Sequence, residues 1–132
     1  DLMLAEGRDI ALIATDDAHF TSLDAFGGWV MVKAEENSPD HLLAALKAGH
    51  FYATQGPGLH DVWVEGDEVC VDSSAVERVI VQGAGSAVQC QIAASATRTR
   101  VKLEKVVQSP WVRVTVVDRA GRHAWSNPIW LD

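Results

Sequence analysis

Asp61-Val-Trp-Val-Glu-Gly-Asp-Glu-Val-Cys-Val-Asp72 is the stretch that decides the fold class. Asp61–Glu65 and Glu68–Asp72 read as alternating strands, each with a Val-x-Val centre between charged ends. Gly66-Asp67 between them supplies a tight turn, so the segment reads as a β-hairpin. The pattern repeats downstream. Val76–Val81, Val88–Ala94, Thr97–Val106 and Trp111–Val117 are strand-like, and Gly83-Ala-Gly-Ser86 and Asp118-Arg-Ala-Gly-Arg122 are turns. Ala124-Trp125 and Ile129–Leu131 finish the chain. Closely spaced strands with no helical period between them predict an antiparallel β-sandwich.

Upstream the pattern changes. Leu2–Gly7 reads as a helix end, and Ile10–Ala14 is a continuous apolar run that stops at Thr15-Asp16-Asp17. Such a run suits a strand covered on both faces, as in a parallel α/β sheet. Trp29–Val32 and Phe51–Thr54 read as short strands. Between them lies the clearest helix signal, with Ser38 as N-cap, Pro39 in the first turn and Gly49 as the stop. Leu42, Leu43 and Leu46 share one face of that helix and are expected to pack on a sheet. The expected class is therefore mainly β, an α+β chain. A strand–helix portion over 1–58 precedes an antiparallel β-sandwich over 59–132, with the break at Gln55-Gly-Pro-Gly58.

Composition narrows the functional classes. The chain has 132 residues, 48% hydrophobic and 22% charged, the balance of one folded domain or one small domain with an appendage. No run approaches the ~20 apolar residues of a membrane span, and no signal peptide is visible. The net charge is −7, and the densest basic stretch, Arg98, Arg100, Lys102 and Lys105, alternates along one strand as a solvated face would. A nucleic-acid module needs a basic face, so nucleic acid is not indicated as a partner, nor is a membrane. Cys70 and Cys90 have no metal or redox spacing and are expected as free thiols of a cytoplasmic protein, the alternative being one disulfide between them.

Thr15-Asp-Asp-Ala-His19 is the best candidate site. It follows the apolar run directly, and ligands gather at the carboxyl ends of strands in α/β sheets. Asp17 and His19 are one residue apart and could turn an oxygen and a nitrogen toward one cation; zinc, manganese and iron suit that pair. His41, His50, His60 and His123 read as surface residues. Gly83–Ser86 lacks the lysine and helix of a phosphate loop, and no serine stands in a nucleophile elbow. Trp63, Trp111 and Trp130 lie in alternating strands and read mostly as core, although tryptophans can also form a sugar-stacking platform.

Taken in order, these stretches resemble a known family. An apolar strand ending in Asp16-Asp-Ala-His19 resembles the last metal-binding motif of the polymerase and histidinol phosphatase (PHP) family. Ser38-Pro-Asp through Gly49-His-Phe-Tyr-Ala-Thr-Gln-Gly-Pro57 is similar to the segment after that motif in bacterial PHP-like phosphoesterases, as is Ala124-Trp-Ser-Asn-Pro-Ile129. The resemblance implies a distorted (β/α)7 barrel that hydrolyses phosphoesters with a metal-activated water, followed by a β-sandwich tail. It implies Asp17 and His19 as metal ligands, with Asp16 as a partner that orients His19. The family's upstream His-x-His, Glu and further His motifs are not in this chain, which opens at Asp1 rather than Met. The expectation is a C-terminal part of such an enzyme, inactive alone and binding metal weakly, whose intact parent acts on a phosphoester. The competing expectation is a non-catalytic β-sandwich module for a carbohydrate or a protein partner. A homodimer that buries Ile10–Ala14 is expected, because that run would lack its barrel neighbours.

Overall fold

The computed structural model describes residues 1–19 and 21–131. Helix α1 spans Leu2–Ala5, strand β1 Trp29–Val32, helix α2 Pro39–Lys47 and strand β2 Phe51–Thr54. Then come β3 Leu59–Glu65, β4 Glu68–Gln82, β5 Val88–Lys102, β6 Trp111–Val117, β7 His123–Trp125 and β8 Ile129–Trp130. The protein is mainly β, and all pairings among the described residues are antiparallel.

The hairpin read from Asp61–Asp72 forms as expected. Trp63 pairs with Cys70 and Glu65 with Glu68, and Gly66 takes φ +62 in the turn, a left-handed conformation that glycine adopts without steric cost. The strand then continues well beyond the hairpin, and β4 becomes the spine of the sheet. Along one edge it pairs with β5 over nearly its full length. Along the other it pairs first with β3 and then with β6. The change of partner coincides with register shifts between Asp72 and Val76 and between Val76 and Arg78. Opposite them on β5, Ala94 and Ser95 adopt φ +50 and +68. Bulges of this kind bend a ladder and increase its twist, and they curl the sheet here. Val88–Ala94 and Thr97–Val106, expected as two strands, form one bulged strand that ends at Lys102.

Curling turns the valines of both halves of β4 into one core. Val69, Val71, Val79 and Val81 lie there with Val101 of β5 and Val112, Val114 and Val116 of β6, each at most 1% exposed. Burying a valine side chain contributes roughly 1.5–3 kcal/mol, so this cluster holds most of the fold's hydrophobic stabilisation. On the far side of β6 the sheet continues through β7 to β2 and β1. Strands from before residue 58 and after it therefore share one sheet.

Two expectations for the first 58 residues are corrected. Ile10–Ala14 is not a strand: it makes no ladder pairing, and Ile13 is 67% exposed. A buried parallel strand needs neighbours on both edges, and this run has a backbone contact of another kind. The Leu12 N–H donates to Asn127 Oδ1 at 2.9 Å. The α2 face is also rotated from the expected one. Leu43 and Leu46 are 50% and 37% exposed, whereas Ala45 is buried and Leu42 half-buried. The helix turns its small residue inward. Ser38 is the N-cap by position, but its hydroxyl meets His41 Nδ1 at 2.7 Å instead of capping the backbone.

Candidate functional site

The Thr15–His19 segment emerges beside the start of β1. A Cβ on Gly28 would sit 3.3 Å from both the Ala14 Cβ and the Thr15 carbonyl oxygen, so a side chain there would push the two segments apart by a few tenths of an ångström. Beyond Thr15 the backbone turns. Asp17 adopts φ +51, a left-handed conformation that aspartate tolerates better than most residues.

Each candidate side chain has a definite place. The Asp16 carboxylate accepts the Ala18 N–H at 3.3 Å through Oδ1 and the Phe26 N–H through Oδ2, closing the loop from Asp16 to Phe26. Asp17 is exposed. The His19 side chain is 67% exposed, and its Nδ1 lies 3.2 Å from Asp24 Oδ2. Asp24 also accepts the His19 N–H. The carboxylate behind the imidazole is thus Asp24; Asp16 is occupied by backbone donors. The Ser22 hydroxyl, with the backbone N–H and ring of His19, holds the Asp24 carboxyl below its usual range. A carboxylate at Nδ1 draws the ring proton to that nitrogen and leaves the Nε2 lone pair for another partner, the arrangement that orients metal-binding histidines. Spacing alone could not single out Asp24, because its contact depends on how the loop closes.

Asp17 and His19 are donors of suitable type for zinc, manganese or iron. Among the described residues, however, no three His, Cys, Asp or Glu side chains gather into a metal-binding group. The donors present therefore fit part of a site.

A second residue to which the sequence assigned no role of its own is Asn127. Besides accepting from Leu12, its Nδ2 donates to the carbonyls of Gly49 and Phe51 at 2.9 Å each. One amide thus ties together the run before Asp16, the end of α2 and the start of β2. Beside it opens a groove of about 670 Å³, bordered by Lys33, His50, Phe51, Leu59, His60 and Asn127.

The remaining sequence candidates fall into structural places. Arg98 makes a two-pronged contact with Asp72 at 2.6 and 2.7 Å. Arg100 meets Glu65 and Glu68, and Lys102 meets Glu104. Hydrogen bonding to Arg98 keeps the Asp72 carboxyl below its ordinary range. Cys70 and Cys90 are free, the first buried and the second exposed, and burial pushes the Cys70 thiol up. Trp111 is fully buried, whereas Trp29 and Trp130 are more than one-third exposed. No helix among the described residues is long and apolar enough to cross a membrane. Comparison with protein-family models, curated proteins and solved structures finds no match to this chain in any of the three.

Proposed function

We propose that this chain is the C-terminal part of a PHP-type metal-dependent phosphoesterase. In the intact enzyme Asp17 and His19 contribute ligands to a divalent-metal centre of zinc, manganese or iron, and the curled sheet is the β-sandwich tail. The observation that carries the reading is the meeting at Asn127. The resemblance rests on three stretches far apart in the chain, and the side chain of one of them hydrogen-bonds the other two regions directly. The Asp24–His19 contact adds support, because it presents the imidazole as a ligand would be presented. The metal would supply an activated water and neutralise phosphate charge. Within this chain Asp17 and His19 offer donor atoms, Asp24 orients one of them, and Asp16 holds the loop that carries both. Free thiols at Cys70 and Cys90 suit a reducing compartment, so we place the protein in the cytoplasm.

The test uses the longest natural polypeptide that contains this sequence, assayed for p-nitrophenyl phosphate hydrolysis with manganese or zinc. Asp17→Ala and His19→Ala should each lower turnover about 100-fold or more, as loss of a metal ligand or its orientation does. Full activity in both variants would reject the assignment. Residues 1–132 alone should be inactive in the same assay.

The second reading is a non-catalytic module, favoured by the groove beside Asn127. Its apolar wall of Phe51 and Leu59 and its imidazoles at His50 and His60 suit a small carbohydrate or a peptide from a protein partner. Glycan and peptide binding that survives His19→Ala but is lost on Phe51→Ala, in a protein without hydrolase activity, would select it.

A further inference from the structure

We propose that two copies of this chain pair through the first half of β5, edge to edge and antiparallel, about a two-fold axis at Cys90. Among the described residues β5 pairs with β4 alone, so its outer edge carries backbone N–H and C=O groups without a ladder partner along a 15-residue strand; one of its carbonyls, that of Ile92, accepts from the Gln91 side-chain amide. Long open edges are templates for another strand, and proteins usually guard them with charge, brevity or bulges. The other edges here are guarded. β1 has only four residues, β3 carries Asp61 and Glu65, and the second half of β5 carries Arg98, Arg100 and Lys102. Val88–Ala93 has none of these protections. It lies within the longest uncharged stretch of the chain, for no acidic, basic or histidine side chain occurs from Val79 to Thr97.

Charge also selects the occupant. Two molecules of net charge −7 repel each other over most of their surfaces, and the repulsion is weakest where neither copy bears charge. An acidic or basic partner strand would find no complement at this edge, whereas a second copy finds an identical uncharged one. The side chains match as well. Val88, Cys90 and Ile92 share one face of β5; Val88 is 45% and Ile92 65% exposed, and Cys90 is exposed between them. A two-fold axis at Cys90 sets Val88 opposite Ile92 of the second copy and Cys90 opposite its own equivalent. Apolar cross-strand pairs of this kind stabilise a ladder. The left-handed residues Ala94 and Ser95 then bend the strand and end the flat segment. Because each copy uses the same edge, pairing consumes both edges and the assembly closes at two.

Light scattering and sedimentation across a dilution series test the proposal on residues 1–132. The expected result is a dimer whose dissociation constant rises about tenfold or more in Ile92→Lys and in Val88→Lys, since each substitution sets lysines of the two copies near a shared apolar face. Both positions are solvent-exposed in the single chain, and thermal melts in the dissociated state should match the unsubstituted protein. Brief oxidation with copper–phenanthroline should link Cys90 to Cys90, because opposed residues of an antiparallel pair lie about 4.5–5.5 Å apart at Cα, within disulfide reach. Cys90→Ser should remove the cross-link while leaving the dimer by light scattering. A monomer at every concentration overturns the proposal. So does a dimer unaffected by both lysine substitutions, including one lost on Ile13→Lys, which would place the contact on the amino-terminal run instead.

Discussion

Residues 1–58 and residues 59–131 are held by different forces. In the second region valines alternate into one core, and Val69, Val71, Val79, Val81, Val114 and Val116 are fully buried. In the first, Leu2, Met3, Ile13, Leu23, Phe26, Met31 and Leu43 are all at least 48% exposed. That region is attached by the short β1–β2 extension of the sheet and by polar clamps. These are Asn127 to Leu12, Gly49 and Phe51, the Trp130 indole to Asp9, and Arg113 to Asp1. A common sheet does not imply a common source of stability. Apolar burial grows with the area removed from water, whereas a net hydrogen bond contributes only about 0.5–1.5 kcal/mol. The candidate metal residues lie in the weakly held region, as do most of the large apolar side chains left in solvent.

The largest effect expected from this contrast is at the tryptophans. Trp111→Ala should cost about 3–5 kcal/mol in denaturant melts, because the ring is fully buried. Trp29→Ala, at 36% exposure, should cost far less. Equal costs would show that the two regions are one cooperative core.

Asn127→Ala should cost about 1–3 kcal/mol through the donors and acceptors it strands. Its more telling outcome is regional. Limited proteolysis should open the chain between Arg8 and Lys33 while protection of β4 and β6 is unchanged. Uniform loss of protection would break the comparison.

Acid should act on both regions in the same direction. Asp24 and Asp72 are held below the ordinary aspartate value of 3.8, the first chiefly by the Ser22 hydroxyl and the second by Arg98. Asp118 is also lowered; its burial pushes upward but is outweighed by the N–H and guanidinium of Arg122 and the Ala120 N–H. A carboxyl whose folded value is depressed stabilises fully above its unfolded value, and that contribution is lost as pH falls through the folded value. The unfolding midpoint should therefore drop as pH falls below about 4. In Asp72→Asn the drop should be shallower, and an unchanged profile would remove the Arg98 pair from the account.

A smaller effect is expected at α2. Leu46→Ala should cost under about 1 kcal/mol, since the side chain is 37% exposed and leaves no closed cavity. A cost of several kcal/mol would mean that another surface covers this helix in solution. The smallest signal should come from metal titration of residues 1–132. Two protein donors gain little over the hydrated ion, so calorimetry with zinc or manganese should show weak binding at most. A stoichiometric sub-micromolar site abolished by His19→Ala would show a centre completed by an assembly of chains.

The alternating residues of Asp61–Asp72, Val79–Val81 and Trp111–Val117 by themselves determined strands, the hairpin and antiparallel pairing. Valine-rich runs closed by charged residues are legible in side-chain order, and Gly66 marks their turn, although burial is continuous over Val69–Val71 rather than strictly alternating. The same local logic located α2 between Ser38 and Gly49 and singled out Asp17 and His19. What the tertiary structure alone decided depends on groups far apart in the chain. The bulges at Val76 and Ala94 merged expected strands and curled the sheet, because a register shift is set by the partner strand. The inward face of α2 became Ala45 rather than Leu46, because a helix with one weak apolar stripe rotates to suit its neighbour. Ile10–Ala14, apolar enough for a buried strand, stayed unpaired because a strand exists only with a ladder beside it. Asp24 behind His19, and Asn127 joining three segments, are contacts made by loop closure and long-range packing, which no spacing rule encodes.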